Sequence, residues 1–72
     1  MEITMKAARI NAGLTQEATV LKLRENGHKI SVNTLANYEN YRTIPDFKTS
    51  EALANLYGVS VNDIIFYRKI VV

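Results

Sequence analysis

The sequence contains no cysteine and a single histidine, His28. Without thiols there is neither a disulfide framework nor a thiolate metal site, and one imidazole does not make a histidine-rich one. Long apolar runs are missing too: none approaches the roughly 18 residues of a membrane-spanning helix. Residues 1–8 lack the apolar centre of a secretory signal. The expected location is therefore the cytoplasm, with no membrane partner. Charge of one sign is scarce, with nine Lys and Arg against seven Asp and Glu, a net +2. That balance permits contact with nucleic acid without demanding it, because each neutralised phosphate adds affinity. No Ser/His/Asp or Cys/His set, glycine-rich phosphate loop or HExxH motif occurs, and the carboxylates are dispersed. An enzyme is not expected, nor a cofactor, a metal or a small-molecule substrate.

What remains is 72 residues, enough for one domain spanning 1–72. So short a chain buries a modest core, which leaves efficient helix packing or oligomerisation to stabilise it. Gly13, Gly27, Pro45 and Gly58 cut it into pieces of two to four helical turns. In the first piece, residues 4–12, Met5, Ala8, Arg9 and Ala12 share a face and Ile10 lies off it. A second helix starts after Thr15, buries Thr19, Val20 and Leu23, and runs to about Asn26. A third starts after Ser31, with Leu35 and Tyr38 inward and Thr34 and Glu39 beside them. A fourth covers residues 46–57, with Phe47, Leu53, Ala54 and Leu56 supplying apolar contacts. Ser60-Val61-Asn62-Asp63 resembles a capping box and predicts a fifth helix carrying Ile64, Ile65 and Tyr67.

Read in order, these residues point to a family. Ala8-Arg9 and Gly13-Leu14-Thr15-Gln16-Glu17 come first. Ile30-Ser31, Thr34-Leu35 and Tyr38-Glu39-Asn40 follow, then Pro45, then Leu53-Ala54-Asn55-Leu56-Tyr57-Gly58-Val59-Ser60. This series resembles the Cro/C1-type, phage repressor-like helix-turn-helix family over about residues 4–67. The resemblance implies an all-α, five-helix lambda-repressor-like DNA-binding domain. Its helix-turn-helix would lie at helices two and three, and residues 68–72 would form an apolar tail. Two features depart from the family pattern. Residues 24–29 look like an insertion between helices two and three, which should lengthen the second helix. Thr19 and Val20 stand where the family usually has leucine and then alanine.

In such domains the third helix enters the major groove with its N-terminal residues at base edges. Val32, Asn33, Ala36 and Asn37 are then the candidates for base contact. Asparagine can pair with adenine N6 and N7, and valine or alanine can touch a thymine methyl. The bland alternative is that both asparagines are simply solvated. Gln16, Lys29, Asn40, Arg42 and Thr43 are the candidates for phosphate contact, and each can equally be an ordinary surface residue. The resemblance also implies a structural, partly buried ion pair between Arg9 and Glu39. His28 reads as a surface turn residue.

The implied function is transcription control by a regulator similar to phage or mobile-element genetic-switch proteins. Its partner would be a double-stranded DNA operator. A second reading stays open: an antirepressor, a modulator that binds a partner phage repressor through the same surface. Residues 31–41 carry no Lys or Arg, which suits a protein partner as well as DNA. Ile10, Ile70, Val71 and Val72 offer apolar surface for a protein interface, including a homodimer.

Overall fold

The computed structural model describes residues 2–67. Its elements, in chain order, are β1 (Ile3–Thr4), α1 (Met5–Asn11), α2 (Gln16–Glu25), α3 (Val32–Glu39) and α4 (Phe47–Tyr57). A 3-10 turn at Val61–Asp63 and a second strand, β2 (Ile64–Ile65), complete the fold.

Each helix starts on a side-chain oxygen that accepts from the backbone N–H three residues on. Thr4 accepts from Ala7 at 3.1 Å, Thr15 from Ala18 at 3.0 Å, Ser31 from Thr34 at 3.0 Å and Asp46 from Thr49 at 2.8 Å. Such caps contribute about 1 kcal/mol each by pairing an N–H that the helix leaves free. The Thr49 N–H and side chain hold the Asp46 carboxyl below its usual pKa.

The helices also end alike, on a left-handed residue. For α2, Gly27 (φ 88) donates to Arg24 O at 3.0 Å and His28 donates to Leu23 O at 2.8 Å. At the end of α3 the left-handed residue is Tyr41, φ 60, with Tyr41 N donating to Tyr38 O and Arg42 N to Asn37 O. A side chain in that conformation costs about 1 kcal/mol. Tyr41 offsets this by packing half-buried against the core.

The core joins one face of every helix: Met5 and Ala8 of α1, Val20 and Leu23 of α2, Leu35 of α3, Leu53, Ala54 and Tyr57 of α4, with Ile64 of β2. Thr19 is also fully enclosed and donates its hydroxyl to Thr15 O at 2.9 Å. A smaller side chain that returns its own polar group to the helix can thus stand at this core position.

Several expectations need correction. There are four helices among the described residues, not five, and the fold includes a small parallel sheet pairing Ile3 with Ile64 and Thr4 with Ile65. Ser60 accepts from Asn62 at 3.3 Å, closing a short turn instead of a capping box, and Ile64 is already extended at φ −89, ψ 134. Phe47 is 69% exposed and contributes no core contact. It sits in the first turn of α4, at the flank of the stripe formed by Ser50, Leu53, Ala54 and Tyr57. Ala12 is exposed because the chain is already leaving α1 there. Ile70, Val71 and Val72 lie outside the described residues.

Among the described residues, the Tyr57 hydroxyl is the one buried side-chain polar group without a hydrogen-bond partner, an orphan in the core. Burial pushes its pKa up to about 12, opposed by the neighbouring Thr19 hydroxyl. The unfolded phenol ionises near pH 10, so its neutral form stabilises the fold fully below that pH. This contribution is lost as pH rises from about 10 towards 12, at up to about 1.4 kcal/mol per pH unit. Tyr57→Phe removes both the orphan and the titration. Denaturant melts should show a gain of about 1 kcal/mol at pH 7 and a flatter decline above pH 10. Lower stability at both pH values would show that the hydroxyl is satisfied.

Candidate nucleic-acid interface

The α2 and α3 helices pack on each other across a six-residue turn, residues 26–31. Arg24 and Glu25 close the ten-residue α2, and residues 26–29 open the turn. The turn is nevertheless built, held by the Gly27 and His28 backbone bonds at one end and the Ser31 cap at the other.

Leu35 is completely enclosed and Tyr38 half-buried, which fixes the inner face of α3. Asn33 is exposed, and Asn37, one turn later on the same side, is half-buried, as is Ala36 beside it. Val32 is half-buried and packs partly against the core, so it presents less of itself than Asn33 does. Asn40, Arg42 and Thr43 are exposed just beyond α3, and Lys29 is exposed just before it. Four of the five phosphate candidates therefore bracket the helix in sequence.

Behind α3 lies a polar anchor. Arg9 Nε donates to Glu39 Oε2 at 2.7 Å and Arg9 Nη2 donates to Oε1 at 3.1 Å, a two-pronged ion pair. The two side chains are only 10% and 4% exposed. The remaining arm of the guanidinium, Nη1, donates to Leu14 O at 2.9 Å. The Glu39 hydrogen bond holds the Arg9 pKa above its ordinary value despite burial. Gln16, a candidate for phosphate contact, gives its amide N–H to Glu39 Oε1 at 3.1 Å. The first residue of α2 is thereby tied to the last residue of α3. Two apolar side chains stand near the exit of α3 without cover, Ile44 at 65% and Phe47 at 69% exposure, and Ile10 of α1 is 56% exposed.

Sequence reasoning missed the Gln16–Glu39 bond, because residues 23 apart carry no local sign of contact. Arg24, exposed on the last turn of α2, was likewise absent from the candidates for phosphate contact.

Among the described residues, no helix is long and apolar enough to cross a membrane, and no group of three His, Cys, Asp or Glu side chains is placed to hold a metal ion. Two helices packed on each other across a built turn make the class a helix-turn-helix domain. A family model described as Helix-turn-helix matches residues 5–64, from the start of α1 into β2. The chain belongs to the Cro/C1-type helix-turn-helix family, a family of DNA-binding regulatory domains. No curated protein and no solved structure matches it.

Proposed function

We propose that the protein is a transcriptional regulator of a phage or mobile-element genetic switch and reads an operator with α3. The observation that carries this reading is the pairing of Asn33 and Asn37 on one side of a helix whose other side is locked. Leu35 is enclosed and Glu39 is held by both Arg9 and Gln16. Base reading needs side chains delivered at fixed positions, and α3 supplies that rigidity. Duplex selection from a random pool, followed by titration at several salt concentrations, tests it. A recovered consensus bound in preference to unrelated duplexes is the expected result. Equal affinity for all sequences even at low salt would overturn the reading.

A second reading, an antirepressor that docks on a partner repressor, is favoured by one observation. Residues 31–41 carry no cation, while Ile44 and Phe47, a few residues further along the chain, are exposed. Co-purification with a repressor encoded nearby, with loss of that repressor's operator binding, would select this reading over the first.

A further inference from the structure

A DNA-reading helix without Lys or Arg raises the question of where the electrostatic attraction comes from. Sequence-independent affinity for duplex DNA is set mainly by cations placed against phosphates. The structure holds a suitable feature at the opening of α3. A surface groove of about 430 Å³ is lined by Arg24, Lys29, Ile30 and Ser31. Its cations come from two different elements. Arg24 stands on the last turn of α2 and Lys29 in the turn that follows, and both are exposed.

The frame between these cations is fixed. Gly27 N donates to Arg24 O and His28 N to Leu23 O, while Ile30 is half-buried against the core. The Ser31 hydroxyl, which also lines the groove, accepts from the Thr34 N–H and shares a hydrogen bond with the Thr34 hydroxyl, both at 3.0 Å. Among the described residues neither Arg24 nor Lys29 has a carboxylate partner. Two unpaired cations across a groove that ends at Ser31, the cap of α3, form a seat for one anion. The guanidinium offers a planar fork to phosphate oxygens and the ammonium a point charge.

We propose that this groove takes a backbone phosphate of duplex DNA, so that the inserted segment supplies the positive charge that α3 lacks. The proposal rests on the reading of α3 as the DNA-facing helix. The clamp would fix where α3 enters the groove and leave base choice to the asparagines, since phosphate contacts position without specifying.

The test compares R24Q/K29Q with the wild type and with K6Q/K22Q, a variant that removes the same charge away from the groove. Affinity for the selected duplex and for an unrelated duplex is measured across salt concentrations. One lost phosphate contact lowers the slope of log K against log salt by about 0.9. It also weakens binding roughly five- to tenfold near 0.1 M salt, equally for both duplexes. These changes are expected in R24Q/K29Q and not in K6Q/K22Q. The proposal is overturned by an unchanged slope in R24Q/K29Q, by the same drop in both variants, or by an altered ranking of sequences. If the wild type binds no duplex, the reading of α3 falls and the clamp falls with it. If the wild type binds selectively and only the slope result fails, the clamp alone is wrong.

Discussion

Replacing Glu39 by alanine destabilises the protein by about 3–5 kcal/mol, because it strands the Arg9 guanidinium in a site where that side chain is only 10% exposed. Domains of this size have roughly 4–11 kcal/mol in total. Each kcal/mol moves Tm by about 4–8 °C, so the melting point should fall by roughly 12–40 °C. Arg9→Ala should act similarly and also orphan the Leu14 carbonyl that Arg9 Nη1 serves. The informative variant is the double replacement R9M/E39L. Removing both charges removes the desolvation cost of each, so it should be less harmful than either single change. Thermal melts of the three variants decide the matter. Additive losses in the double variant would mean that the two charges act independently. Because Gln16 also donates to Glu39, losing that carboxylate frees both ends of the helix-turn-helix from each other.

Asn33→Ala and Asn37→Ala should each weaken binding to the selected operator by about 1–3 kcal/mol, roughly 5- to 150-fold, if each amide holds one base in two-pronged fashion. Neither change should unfold the protein. Asn33 is exposed, and the part of Asn37 that bonds within the fold is its backbone carbonyl, which accepts from Arg42. Alanine is also the better helix former. Affinity for unrelated duplexes should stay near the wild-type value, which separates this outcome from the uniform loss expected at Arg24 and Lys29. Full operator affinity in both alanine variants would remove Asn33 and Asn37 from the reading surface.

The helices were legible because their starts and stops are chemical. Thr15 and Ser31 are strong caps, and glycine stands at three of the four left-handed helix ends. The fourth, Tyr41, carries no such sign, since only tertiary packing holds a tyrosine there. The strands were not legible for another reason. Two residues are too few to show alternation, and Ile64-Ile65 reads as readily as a continued helix as it does as a strand. Phe47 was misplaced because hydrophobicity alone does not say which flank of a helix lacks a neighbour. The anchor of Arg9, Gln16 and Glu39 joins three helices through residues far apart in sequence. Spacing gave no access to it, and its Arg9–Glu39 part came to notice only through resemblance to a family.

The parallel pairing of Ile3 with Ile64 and Thr4 with Ile65 makes all four helices a single crossover between two strands. Parallel strands run the same way, so tension between residues 2 and 67 would drag them past each other instead of peeling them apart. The hydrogen bonds between β1 and β2 would then carry the load together, in shear. Under mechanical pull this short tie is a fuse in series with the chain ends, and the helix-turn-helix bears no force until it parts.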